Sequence, residues 1–498
     1  MPRLMERLVS VLLTLVLFLW NLAGDQIFGI RPPQEPSFTL TQADSRYQIA
    51  SDISSVVTTN DQSQLLEPQA SIHPGGDGGE RIQIYPSQAG QAIAGFGASL
   101  TDSSAYLIHQ VLDETARSAL MIRLFSREGG IGLSFLRQPM GASNFAREAY
   151  TYDDMPAGKT DYELHHFSIA HDEADILPLL RQAKALNPEL TVMATPWSPP
   201  AWMKTGRSLT GSKGGILRPS CYGAYARYFV KFIEAYAQQG IPVSAVTVQN
   251  EPNYAPETYP GMKMGAVQQV DFINNHLGPA FEAAGISTKI LCYDHNWDNA
   301  AYAKTVLTRA GRYVGGSAWH VYGGDVSTQS LIHSLYPEKE IYFTEDSGGE
   351  WVDGGSFSGG FPSTVGMGIR ALRNHSRTFV LWNLALDEQN GPVLPTSEKS
   401  TCRGVVTVNQ QTGEVTYNLD YYALGHFSKF IRPGAARLMS DSKIEGMDNV
   451  VFRNPDGTIA MVLINKNNTA KTVCIAYGEA TFSASVPAQA TVTFCWQG

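Results

Sequence analysis

Between residues 92 and 382 the chain alternates two hydrophobic rhythms. Short apolar runs recur at Ala92–Phe96, Leu133–Arg137, Thr191–Thr195, Ser244–Val248, Lys289–Tyr293, Ser317–His320, Ile341–Thr344 and Thr378–Trp382. They are too short for helices and apolar at successive positions, which suits strands buried on both faces of a parallel sheet. Between them lie stretches of helical period. In residues 222 to 238 the apolar face is Tyr225, Phe229, Phe232, Ile233 and Tyr236, spaced i, i+4, i+7, i+8 and i+11. Residues 174 to 186 and 267 to 284 read the same way, and Gly240 and Gly285 follow as helix stops. Eight strands alternating with helices over roughly 300 residues predict the α/β class and a (β/α)8 TIM barrel.

Outside that span the alternation stops. Val405–Val408, Asn449–Phe452, Ile459–Ile464, Thr472–Ile475 and Ala490–Phe494 are short β-type runs separated by turn signals such as Asn454-Pro-Asp-Gly. Ser54–Thr59 and Arg81–Tyr85 are similar runs ahead of the barrel. Neither set makes a full sandwich alone. The expectation is one attached antiparallel β-sandwich domain built from both chain ends: residues 46–90 and 399–498 around a barrel at 91–398. Ahead of it, residues 25–45 read as a linker. Residues 1–24 read as a signal peptide, with Arg3 and Arg7, an apolar run from Leu8 to Trp20, then small residues. That run is short for a membrane span, which needs roughly 20 residues. The protein is therefore expected to be secreted, with no stable span after signal removal.

Composition narrows the partners. A hydrophobic content of 43%, 17% charged residues and a net charge of −9 describe a soluble acidic protein and argue against nucleic acid. The five cysteines show no C-x-x-C spacing and no accompanying His cluster, so no metal is expected. Cys474 and Cys495 share the C-terminal β segment and could bridge there.

The candidate chemistry sits where two strands end. Ala245-Val-Thr-Val-Gln-Asn-Glu251-Pro252 and Glu340-Ile-Tyr-Phe-Thr-Glu345-Asp-Ser-Gly-Gly both run an apolar strand into a carboxylate and then a breaker. A lone strand-end Glu reads as a helix cap. Two of them, after the fourth and seventh strands, face each other across the mouth of an eight-stranded ring, where barrel active sites lie. A carboxylate pair there suggests glycoside hydrolysis, in which one group attacks the anomeric carbon and the other protonates the leaving oxygen. The acid/base needs a pKa raised towards working pH.

Longer segments carry a resemblance. Gly95-Phe-Gly-Ala-Ser-Leu-Thr-Asp102, Ala194-Thr-Pro-Trp197-Ser-Pro-Pro-Ala-Trp202-Met-Lys, Gln249-Asn-Glu-Pro, Trp382-Asn-Leu-Ala-Leu and Gly425-His-Phe-Ser-Lys-Phe-Ile together resemble the glucosylceramidase family, glycoside hydrolase family 30. The resemblance runs from about residue 50 to the C-terminus. It implies a retaining mechanism with Glu345 as nucleophile and Glu251 as acid/base, and no cofactor. It also implies that Arg137, Asn144, Trp197, Asn250, His320, Tyr322 and Trp382 line the sugar pocket. Arg137 would bond a catalytic carboxylate, Asn250 the sugar 2-hydroxyl, and Trp197 and Trp382 the ring face. His320 and Tyr322 would orient Glu345. Trp202 and Asp102 are expected to be structural. Asn144 stands where the family commonly has an Asp, so the glycone need not be that of glucosylceramide. The expected function is a secreted retaining β-glycoside hydrolase on a carbohydrate or glycoconjugate, glucosylceramidase-like or of β-glucosidase type. The alternatives are an endo-acting β-glycanase, such as a β-1,6-glucanase, and a non-catalytic carbohydrate-binding protein.

Overall fold

The computed structural model describes residues 38–441 and 443–498; the signal predicted for residues 1–24 and the linker up to residue 37 lie outside them. Residues 38–498 form one compact unit. Among the described residues no helix is long and apolar enough to cross a membrane.

Strands β1 (Ser54–Thr59), β2 (Glu67–Pro68) and β3 (Glu80–Ala92) precede the barrel. The barrel strands follow as β4 (Gly95–Ser99), β5 (Phe135–Pro139), β6 (Thr191–Thr195), β7 (Val243–Thr247), β8 (Lys289–Asn296), β9 (Val314–His320), β10 (Glu340–Glu345) and β11 (Thr378–Asn383). They pair in parallel in chain order, with β11 returning to β4. The ring closes between β10 and β11 through Arg377 N–H to the Ile341 carbonyl (2.8 Å) and Asp346 N–H to the Val380 carbonyl (3.1 Å). Phe135, Met193, Ala245, Leu291, Ala318, Tyr342 and Val380, from successive strands, pack on one another inside the ring. That is the filled interior of a TIM barrel rather than a pore.

The predicted helix at 222–238 forms as Tyr222–Gln238, burying Tyr225, Phe229, Phe232 and Tyr236. The stretch 266–284 is helical throughout but loosens into a π turn at Ile273–Leu277. Gly285, at φ +65°, ends it in the left-handed region that glycine adopts without penalty.

After the barrel come β12 (Ala385–Leu386), β13 (Val406–Val408) and β14 (Val415–Tyr417), then β15 (Ala436–Ser440), β16 (Met447–Arg453), β17 (Thr458–Asn465), β18 (Lys471–Tyr477), β19 (Ala480–Val486) and β20 (Ala490–Gln497). The last six join β1–β3 in one sheet of order β19-β18-β3-β15-β16-β17-β20-β1-β2. All its pairs are antiparallel except β18 with β3. The sheet folds over itself: Phe482 on β19 meets Phe494 and Trp496 on β20, at ring separations of 5.7 and 5.5 Å. The β-sandwich is thus built from both chain ends. Its other face contributes Val450, Phe452, Val462 and Ile464 to the core that surrounds the barrel, so the two domains share apolar packing.

Two expectations change. The run at Val405–Val408 does form a strand, β13, but it pairs with β12 and β14 in a separate three-stranded sheet. Val405 and Val406 N–H donate to the carbonyls of Asn383, the last residue of β11, and Leu384, the next one, so this segment continues the barrel rim. The suggested Cys474–Cys495 bridge does not form. All five cysteines are free, because β18 and β20 are separated in the sheet by β3, β15, β16 and β17.

Candidate active site

The carboxyl ends of the barrel strands surround a cavity of about 200 Å³. Asn144, Trp197, Asn250, Glu251, Tyr322, Glu345 and Trp382 line it. Arg137 and His320 lie directly beneath, fully buried. All the residues singled out by the sequence therefore converge. Trp202 and Asp102 stand apart, as expected: the indole N–H of Trp202 donates to Asp153, and Asp102 pairs with Arg147 and His171.

Glu345 ends β10 with its side chain only 8% exposed. Arg137 Nη1 donates to its Oε2 at 2.5 Å, and Tyr322 Oη donates to its Oε1 at 2.9 Å. These two bonds fix both carboxylate oxygens in place. The same guanidinium donates through Nη2 to Asn250 Oδ1 (2.7 Å) and Asp294 Oδ2 (3.0 Å). Above it lie Trp197, 4.9 Å from the guanidinium carbon, and Trp382, at 5.6 Å; the two indoles stack at 5.1 Å. A buried arginine needs its charge compensated. Here two carboxylates and two aromatic faces do that, with Nη1 and Nη2 bonded and the buried Nε left without a partner.

Asp294 is the residue the sequence reading missed. It is wholly buried and accepts from Arg137, from Thr247 Oγ1 (2.8 Å), from Thr344 Oγ1 (2.7 Å) and from His320 Nε2 (3.0 Å). Burial pushes its carboxyl up, but Arg137 and His320 outweigh that and hold it far below the usual range. Its backbone is unusual too. Tyr293 and Asp294 have φ of +74° and +68°, where β8 slips register against β9. Such a bulge re-aims a side chain, here into the barrel axis. A signal was present: β8 also runs apolar residues, Ile290 to Tyr293, into a carboxylate.

Glu251 sits four residues past β7 with φ +47°, a sparsely populated conformation for a residue with a Cβ. Its N–H donates to the Asp294 carbonyl (3.0 Å), and its carbonyl accepts from Tyr254 (2.8 Å). His320 Nδ1 lies 3.6 Å from Glu251 Oε1 and 3.9 Å from Glu345 Oε1, a charge contact longer than a hydrogen bond. His320 therefore faces both carboxylates, while Tyr322 alone of the two bonds Glu345. Burial lowers the His320 pKa, yet the charges of Glu345 and Asp294 reverse this and carry it up to about 9. The imidazolium in turn acts on Glu251. Burial raises that carboxyl, but His320 first, then His295 and Arg137, bring it below its ordinary value. The expectation of a raised pKa is thus overturned for the protein by itself, because the cationic His320 and Arg137 stand close to this side chain.

One oxygen each of Glu251 and Glu345 and one nitrogen of His320 lie within 4.8 Å of one another. These are the donors that could hold a cation. Tyr259, Ser347, Trp351 and Cys402 complete the cavity wall, on loops whose folding no local pattern announced. A larger cavity of about 570 Å³ lies at the other end of the barrel, between the start of β10 and the sandwich strands β3 and β15; it holds neither Glu251 nor Glu345.

The chain matches the glycosyl hydrolase family 30 TIM-barrel domain over residues 93–431 and that family's beta sandwich domain over residues 434–494. It is 33% identical over 453 residues to the endo-1,6-beta-D-glucanase neg1 of Aspergillus fumigatus, covering 86% of this chain and 90% of that one. It is 30% identical over 441 residues to the lysosomal acid glucosylceramidase of Mus musculus, covering 84% and 83%. Among solved structures, the endo-beta1,6-glucanase BT3312 superposes with a TM-score of 0.83 at 32% identity, covering 90% of this chain and all of that one.

Proposed function

This chain belongs to glycosyl hydrolase family 30, and on that premise we propose that it is a retaining endo-β-1,6-glucanase with Glu345 as nucleophile and Glu251 as acid/base. The observation that carries the mechanism is the approach of the two carboxylates, whose oxygens come within 4.8 Å. Retaining enzymes hold their carboxyl groups about 5–5.5 Å apart, whereas inversion needs about 6.5–9.5 Å to admit a water. Glu345 is held in place by Arg137 and Tyr322 and attacks the anomeric carbon. Glu251 faces it with fewer hydrogen bonds and more solvent, and protonates the departing oxygen. A bound sugar excludes water from Glu251, and desolvation moves its carboxyl back up towards the protonated form. Once Glu345 is esterified its negative charge is gone. The proton affinity of Glu251 then drops, as a general base for the attacking water requires.

Asn250, tied to Arg137, offers its amide N–H to the sugar beside Glu345, and the stacked Trp197 and Trp382 present an aromatic wall. Support for the linkage comes from the relatives described as endo-1,6-β-glucanases. The N-terminal charged and apolar run supports export as part of this reading.

The test is direct. Glu345→Gln should lose at least about 10³-fold in turnover, consistent with removal of a covalent nucleophile, with the fold intact by circular dichroism. Glu251→Ala should keep activity on an activated aryl β-glucoside and regain more with azide, while losing β-1,6-glucan cleavage. The parent should release a ladder of oligosaccharides from a β-1,6-linked glucan. Labelling of a carboxylate other than Glu345 by a 2-fluoro glucoside, or exclusive release of glucose, would refute the corresponding half of the proposal.

A further inference from the structure

Beside the catalytic pocket lies a second cavity of about 330 Å³, larger than the pocket of about 200 Å³ that holds the reacting ring. Tyr322, Ser347 and Trp351 line both. Trp351 is 55% exposed and Tyr322 44% exposed, so two aromatic side chains stand at the passage between the two spaces. The Trp351 indole lies against Gly349, where a Cβ would sit 2.1 Å from its ring. The ring is thereby seated on backbone without an aromatic partner among the described residues.

The rest of the wall is polar and underused. Asp346 follows the proposed nucleophile directly. Its N–H and carbonyl bond β11, but among the described residues nothing hydrogen-bonds its carboxylate. Burial, with Asp420 and Glu345 nearby and only Arg403 and Arg370 in opposition, pushes it up to about 7. Arg403 gives Nε and Nη2 to Asp420, but its Nη1 is buried without a partner. An acceptor, an unspent donor and an exposed aromatic face around one space are what a pyranose asks for. Its hydroxyls donate and accept together, and its C–H face packs on a ring. Polar groups left unpaired in a wall are also a cost that a polar ligand removes.

We propose that this cavity is a second sugar subsite, seating the glucosyl unit next along a β-1,6-linked chain from the one in the catalytic pocket. A 1,6-linkage inserts a methylene, and with it an additional rotatable bond, between the rings. The neighbouring ring can then turn sideways past Trp351 and Tyr322 into a lateral cavity, as a stiff, directly ring-linked chain could not. The assignment rests on the β-1,6-glucanase reading above.

Ser363 lies exposed on the rim, on the helix Phe357–Arg373, away from the catalytic pocket. Ser363→Trp should fill the space. The measurement is kcat/KM on a β-1,6-linked glucotriose divided by kcat/KM on an aryl β-glucoside, which needs only the catalytic pocket. A fall of at least fivefold in that ratio supports the subsite, and a smaller change overturns it. If the tryptophan variant does not fold, Asp346→Ala read by the same ratio decides. A parent enzyme that leaves β-1,6-linked chains intact while cleaving the aryl glucoside overturns the substrate reading and the subsite with it. A parent that cleaves them with an unchanged ratio in the variant overturns the subsite alone.

Discussion

His320 is a buried cation that shares Glu345 and Asp294 with Arg137, and it makes stability depend on pH with a defined sign. Its folded pKa, about 9, lies above its ordinary value of 6.5. Its contribution to stability is therefore fully present below about pH 6.5 and is lost as pH rises through about 9. The thermal midpoint of the parent should fall across that window, and His320→Gln should flatten the fall. An equal decline in both would show that another group titrates. Asn144 acts on selectivity instead. It lines the catalytic cavity in a position where an acidic side chain would bind sugar hydroxyls more strongly. Asn144→Asp should alter relative kcat/KM among aryl glucosides, xylosides and fucosides by roughly 1–3 kcal/mol. An unchanged substrate profile would remove Asn144 from the specificity determinants.

Strands carry these residues, and strand ends aim them. β8 slips register against β9 at Tyr293/His295, β10 against β9 at Phe343/Glu345, and β11 against β4 at Leu381/Asn383. Each irregularity falls beside a site residue: Asp294, Glu345 and Trp382. Bulges next to active sites turn a side chain that pleating would send elsewhere. Close strand approach matters equally. At Gly97 on β4 an added Cβ would lie 1.8 Å from the Phe135 carbonyl oxygen on β5. Gly97→Ala should destabilise the barrel by about 3 kcal/mol, the upper range for overpacking, measured by urea unfolding. A loss under about 1 kcal/mol would mean the two strands can part there freely.

At the level of the molecule, barrel and sandwich depend on each other. β3 leads directly into β4, and the sandwich strands β16 and β17 lend Phe452, Val450, Val462 and Ile464 to the core around the barrel. Phe427, on the helix Leu419–Ser428, packs on Phe96 and Phe379 of the barrel, with ring centres 5.8 and 5.6 Å away. A chain ending at residue 398 would expose all of this apolar surface, leaving β3 without partners and β1 with only the two-residue β2. It should be recovered insoluble or unfolded. A soluble, active shortened chain would show that the sandwich is an appendage.

Hydrophobic period alone made the eight barrel strands and the β-type chain ends legible, because burial on two faces writes a continuous apolar run and burial on one face writes alternation. Two strand-end carboxylates, Glu251 and Glu345, could be read the same way, since Pro252 and the glycines after Glu345 mark where the chain leaves the sheet. What sequence could not supply is whatever depends on distance across the ring. The Asp294 hub arises from a bulge. The downward shift of Glu251 arises chiefly from His320 on β9 and Arg137 on β5, far from it in the chain. β13 pairs at the barrel rim because the chain leaving β11 passes close to it. Ser347, Trp351 and Cys402 meet the cavity through irregular loops. Local pattern records which face a residue buries. Only the closed barrel determines which charges then stand within a few ångströms of one another, and it is there that electrostatic coupling becomes strong.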